Sequence, residues 1–191
     1  GSGLDYHVGV VSTDMDDTSH NGKLRTASGD KWIDESTNNP TNAFTTMANM
    51  GTSGSGNEQG IGAGYAALEL KRDTYNSGFL RDSAAMHAVV ISDEEDHTNG
   101  DPVTVNEFIG YLQGLKSSPS MVTWSSIVNE PGCCSGFGDE APGTKYIDVT
   151  NAVGGILWPI TNNSWDSVRE QLGVQASGLK REFFLAQIPV P

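Results

Sequence analysis

Cysteine is all but missing from this sequence: the only two, Cys133 and Cys134, are neighbours. A framework of disulfides between distant segments is therefore excluded. The pair either closes on itself as a vicinal bridge, in a turn that Gly132, Ser135 and Gly136 would permit, or stays as two thiols. It is also too small for a zinc site, since the four histidines are scattered and none stands at ligand spacing from it. Positive charge is the second shortage. Lys and Arg number 11 against 24 Asp and Glu, for a net charge of −13. A surface that acidic repels phosphate backbones and favours cations and basic partners, which argues against nucleic acid. Most of these charges read as a solvating surface, so only clustered carboxylates inform. Long apolar runs are absent too: none approaches the roughly 20 residues that a membrane-spanning helix requires. Gly1-Ser2-Gly3 looks like a tag scar or linker, without the charged and apolar regions of an export signal.

What remains fits one α/β domain over residues 4–191. The run Asp5–Ser12 reads as a strand that empties into the acidic stretch Thr13–Gly22. Residues 23–35, around Leu24, Trp32 and Ile33 with Ser28-Gly29-Asp30 between, suit a short edge hairpin. Asn39-Pro40 starts a helix carrying Phe44, Met47 and Met50, stopped by Gly51. After the loop 51–57, a second helix begins around Glu58 with Ile61, Tyr65 and Leu68 at helical spacing. Its Gly60, Gly62 and Gly64 let a neighbour pack closely. His87–Ser92 is a continuous apolar run, the pattern of a strand buried on both faces. Thr104-Val105-Asn106-Glu107 forms a capping box, and the helix it opens lines up Val105, Phe108, Ile109, Leu112 and Leu115.

Met121–Val128 is the next strand. Thr144–Val153 is a helix with Tyr146, Val149 and Val153 inward, and Ile156-Leu157-Trp158 is a strand that Pro159 places near an edge. Asn163–Leu172 is helical, with Trp165, Val168 and Leu172 in register and Gly173 closing it. Phe183–Ile188 is the last strand. Alternating elements predict a three-layer α/β fold, a mostly parallel sheet covered by helices on both faces. His7 and His87 read as structural, and Trp124, Trp158 and Trp165 as core.

In such sheets ligands bind at the carboxyl ends of the strands. Two strands empty there into acid clusters: Asp14, Asp16 and Asp17 after the first, and Asp93, Glu94, Glu95 and Asp96 after the central one. Hard cations take several oxygen ligands, and carboxylates converging from separate loops supply them. Asp93 is the leading metal ligand and Glu58, after the glycine-rich loop, the second, with Asp14 and Asp96 as supporting or alternative ligands. The competing readings are a loop acid capping a neighbouring helix for Asp93 and a first-turn acid favoured by the helix dipole for Glu58. Asp14-x-Asp16-Asp17-x-x-x-Asn21-Gly22 lacks the glycine and closing glutamate of an EF-hand and reads as a solvated acidic loop.

Three stretches carry a resemblance: Asp5–Asp14; Gly56–Ala63 leading to Ala67-Leu68; and Phe79–Asp96, the most specific. Together they resemble a secreted or lipoprotein branch of the bacterial von Willebrand factor A family, from about residue 4 to 188. The resemblance implies a Rossmann-like sheet, a secreted or cell-surface location and a metal-ion-dependent adhesion site. That site holds a divalent ion, Mg2+ or Ca2+, and grips a protein partner through the partner's carboxylate. In the family its ligands come from an Asp-x-Ser-x-Ser loop after the first strand, a threonine in a second loop and an aspartate in a third. The third matches Asp93, and Glu58 occupies the threonine position.

No Asp-x-Ser-x-Ser occurs here; Asp17-Thr18-Ser19-His20-Asn21 comes nearest and follows what resembles the family's second strand. The central first strand is therefore expected to be missing from this chain. Its place, between Val8–Val11 and Ala88–Ser92, would be an apolar gap flanked by unpaired backbone groups. An upstream fragment bound as a separate chain, a strand from a partner, or direct pairing of the two edges would close it; the first is expected. Two further functions compete with adhesion. One is a degenerate, metal-free structural subunit. The other is a metal-assisted hydrolase built on Asp93–Asp96 with His97 as base, though no nucleophile elbow, HExxH or phosphate loop accompanies it.

Overall fold

The computed structural model describes residues 5–51, 53–134 and 141–178. The expected strand at Phe183–Ile188 lies outside them.

The chain folds as a mixed α/β protein. Helix α1, Pro40–Ala48, starts where Asn39 caps it and proline occupies its first position. Helix α2, Gly60–Tyr65, runs on into a wider π-helical turn, Ala66–Leu70. Strand β1 is Met86–Ser92. Helix α3, Val105–Gly114, opens with both halves of the Thr104–Glu107 capping box in place. Strand β2, Val122–Val128, is followed by helix α4, Thr144–Val153, the short strand β3, Leu157–Pro159, and helix α5, Trp165–Gly178.

The three strands form one parallel sheet in the order β1-β2-β3. Met86 pairs with Val122 and Ser92 with Val128, so the carboxyl ends of β1 and β2 are level. On one face, Met86, Val90, Val122, Trp124 and Val128 meet Ile61, Phe108, Leu112, Tyr146 and Val149 from α2, α3 and α4 in the main core. The three glycines of α2 make this packing tight. A Cβ on Gly64 would lie 3.2 Å from the Trp124 ring and 3.3 Å from Phe108, and one on Gly60 would lie 2.7 Å from the Tyr146 hydroxyl. Close approach of α2 is thus what these glycines provide. A second, smaller core joins Ala27, Ile33 and Met47.

Several expectations are corrected. Asp5–Ser12 is not a strand of the sheet; its contact is an isolated antiparallel bridge between Val8 and Ile33. Val8 exchanges both backbone bonds with Ile33, and Val10 accepts from Arg25, so these two residues turn their polar groups toward 25–33. In an extended chain the intervening His7, Gly9 and Val11 direct theirs the opposite way. Strand β1 is not buried on both faces. Val89 and Ile91 are 42% and 55% exposed, because they point away from the helices of the main core. On that second face Gln175 of α5 accepts a hydrogen bond from Ser125.

Among the described residues β1 has no strand on its outer side. Helix α5 runs past Gly173 to Gly178, since a glycine inside a helix is a modest penalty rather than a stop. Trp165, 47% exposed, is not a core residue and Trp158 is half-buried, whereas Trp124 is 3% exposed. The two cysteines form the vicinal disulfide, with Cys134 in the left-handed region at φ 68°.

Candidate functional site at the carboxyl ends of the strands

Helix α2 is aimed at the sheet edge by a buried polar frame. Asp96, fully buried, accepts from the Ile61 amide at 2.8 Å and from the Thr98 amide at 2.9 Å. Thr98 in turn accepts from the Gly62 amide at 2.9 Å, and the Tyr146 hydroxyl accepts from Gly60 at 3.1 Å. Amides without an intrahelical partner at a helix start are thereby paired from outside the helix. Burial, reinforced by the nearby Asp96 carboxylate, pushes the Tyr146 hydroxyl well above the ordinary tyrosine range and keeps it neutral.

This frame holds Glu58 where three segments meet. Glu58 forms an antiparallel bridge with Asp14, and the next residue, Gln59, donates its amide to Thr13. The Glu58 carbonyl accepts from the His97 amide at 2.7 Å. Its carboxylate accepts from the Ser92 hydroxyl at 2.7 Å, at the last residue of β1. Glu58 and Asp93 therefore emerge on the same sheet edge, as expected. Glu58 precedes α2 rather than sitting in its first turn.

The acidic run after β1 separates into different jobs. Glu95 accepts from the Asp96, Lys145 and Thr144 amides, which caps the start of α4 and places a carboxylate at its positive end. Asp96 frames α2, and its backbone carbonyl accepts from the Lys145 ammonium. Asp93 is exposed, while its backbone carbonyl accepts from the Asn129 side chain at 2.7 Å and from the Ala141 amide at 3.1 Å. Asn129 is 2% exposed, and its Oδ1 has no partner. The helix-capping alternative weighed for Asp93 is thus realised by Glu95 and Asp96.

Asp14 corrects the expectation of a solvated loop, being only 7% exposed. One carboxylate oxygen accepts from the Asp16 and Asp17 amides and the other from Ser55. Burial pushes its pKa up, but the Ser55, Asp17 and Asp16 amides outweigh that and hold it below the ordinary aspartate value. Both oxygens of Asp14 and Asp96 are engaged by backbone amides, whereas Glu58 is half-exposed and Asp93 exposed at this edge, beside the exposed Asp16 and half-exposed Glu94. Among the described residues no three His, Cys, Asp or Glu side chains gather to hold a metal.

Sequence reasoning missed Glu95, Asn129 and Tyr146 as the residues that fix this edge. Their partners lie tens of positions away, so no local spacing announces them.

Both histidines assigned structural roles have them. His7 stacks on Trp32 at 4.9 Å and its Nδ1 lies 2.8 Å from the Phe79 carbonyl. His87 Nε2 lies 3.0 Å from the Ser125 hydroxyl beneath α5, and burial lowers its pKa. A histidine whose folded pKa is depressed destabilises the fold as pH drops. Stability is expected to be level above about pH 6.5, the ordinary histidine value, and to fall progressively as pH decreases through the lowered folded value. His87→Gln should flatten that part of a urea-midpoint profile; an unchanged slope would remove His87 as its source.

Compared with known family models, characterised proteins and solved structures, the chain finds no match. No helix among the described residues is long and apolar enough to cross a membrane.

Proposed function

We propose that the chain is an extracellular protein-binding module of von Willebrand factor A type, with its binding edge at Glu58 and Asp93. The observation that carries this reading is the convergence at Glu58, where the loop after residues 5–12, the start of α2 and the end of β1 meet within hydrogen-bonding distance. A parallel sheet that gathers oxygen ligands from separate loops at its carboxyl edge is the arrangement such a module needs. The vicinal disulfide supports an oxidising, secreted or cell-surface location.

That no strand among the described residues lies on the outer side of β1 supports the reading that a central strand comes from elsewhere. Residues 5–14 and β1 are tethered to common anchors at both ends. At the carboxyl end Glu58 bonds to the Asp14–Thr13 segment through its bridge and to Ser92 through its side chain. At the other end Asp5 pairs with Arg81 and His7 contacts Phe79, a few residues before β1 begins. Between these anchors, backbone groups of His7, Gly9 and Val11 turn away from their hairpin, and among the described residues β1 has no outer partner strand. An upstream fragment in the family's first-strand position fills such a place, and the Asp-x-Ser-x-Ser that follows that strand in the family would supply the oxygens that Mg2+ or Ca2+ still lacks here.

Mn2+ titrated into the isotopically labelled chain is expected to broaden the amides of Glu58, Asp93 and their neighbours first. Asp93→Ala should abolish that effect while shifting stability by no more than about 0.5 kcal/mol, as for an exposed substitution. Broadening spread evenly over the acidic surface would count against the site. A metal-free structural subunit is the second reading, favoured by the full use of the Asp14 and Asp96 carboxylates as amide acceptors.

A further inference from the structure

We propose that the cleft beside Trp32 binds carbohydrate. The cleft encloses about 630 Å³ between the 27–30 turn, the 34–38 segment and the start of α1, and it involves none of the residues of the Glu58–Asp93 edge. That volume lies within the range of small-ligand sites.

Its chemistry selects the ligand class by elimination. The lining is mostly polar, with the Asp30 and Asp34 carboxylates, the Ser36 and Thr37 hydroxyls and the Asn38 amide around one indole, Trp32. Apolar molecules would leave those groups unpaired. Anions such as phosphates would face two carboxylates. The one ammonium in the wall, Lys31, is turned to the Tyr75 carbonyl at 2.6 Å and lies 4.5 Å from the centre of the Tyr75 ring. Metal cations lack a gathered set of ligands among the described residues. A neutral molecule with many hydroxyls satisfies each wall. Its hydroxyls donate to the carboxylates and accept from the amide, and its C–H faces rest on the indole.

Two features make the wall rigid. Trp32 is held by His7 stacked at 4.9 Å and by Phe79 at 6.2 Å, so a platform is fixed before a ligand arrives. The Ser36 hydroxyl and amide and the Thr37 hydroxyl all donate to one oxygen of Asp34, at 2.7, 2.8 and 3.3 Å. Their lone pairs are thereby oriented, and little ordering is left for the bound state.

Saturation-transfer NMR with glucose, galactose, mannose, N-acetylglucosamine and their disaccharides tests the proposal. At least one saccharide should receive transfer, strongest at its ring C–H protons. Trp32→Ala should abolish it, and Asn38→Ala should weaken affinity about tenfold, one step on the affinity scale. Asn38 is exposed, so that variant keeps the proposal testable if Trp32→Ala disturbs packing against His7. No transfer to any of these sugars, or transfer undiminished in Asn38→Ala with the fold verified by circular dichroism, overturns it.

Discussion

Asp96→Ala is expected to lower the free energy of unfolding by about 2–6 kcal/mol, because two buried amides lose their acceptor at roughly 1–3 kcal/mol each. The amides are those of Ile61 and Thr98, and through Thr98 the loss spreads to Gly62. Asp96→Asn keeps one carbonyl oxygen and should recover part of the difference. Urea denaturation of the two variants beside Asp93→Ala decides the matter. The structure makes Asp96 a framing residue and Asp93 a surface one, so similar midpoints for Asp96→Ala and Asp93→Ala would contradict that division. The comparison also bears on function, since the same frame positions Glu58. Asp96→Ala should impair any activity of the edge indirectly, together with stability, whereas Asp93→Ala should impair it alone.

An apolar strand fused ahead of residue 5 through a glycine-serine linker is expected to raise the melting temperature by about 5 °C or more. Val89 and Ile91, 42% and 55% exposed, contribute roughly 1 kcal/mol each when a strand and its following turn cover them. Each backbone bond gained along the outer edge of β1 adds about 0.5–1.5 kcal/mol. In a chain of this size one kcal/mol moves the melting temperature by about 2–4 °C. A control fusion with Asp and Lys at the apolar positions should give little of this, because the pairing edge is the same but the burial is lost. Equal, negligible shifts from both fusions would show that β1 does not accept a strand there.

The elements legible in the sequence are those whose signals are local. The Thr104–Glu107 box, the α4 span Thr144–Val153 and the close-packing role of Gly60, Gly62 and Gly64 all follow from residues within a few positions of one another. Strand β1 was legible as a strand but not in its exposure. Its apolar run would suit two covered faces, yet Val89 and Ile91 are 42% and 55% exposed. Asp5–Ser12 has strand-like composition, but a strand needs a partner along its length, and among the described residues this segment has the isolated Val8–Ile33 bridge and the Arg25–Val10 bond.

At the candidate site, the position of Glu58 beside the end of β1 could be expected from topology. The division of labour within Asp93–Asp96 could not. Which carboxylate caps a helix depends on where α2 and α4 begin in space, and that is set by the core through Phe108, Trp124 and Tyr146.

The vicinal bridge between Cys133 and Cys134 carries a consequence for assembly. Each sulfur is already bonded to its neighbour, and the sequence holds no third. While that bridge stays closed, neither cysteine offers a free thiol through which another polypeptide could be attached.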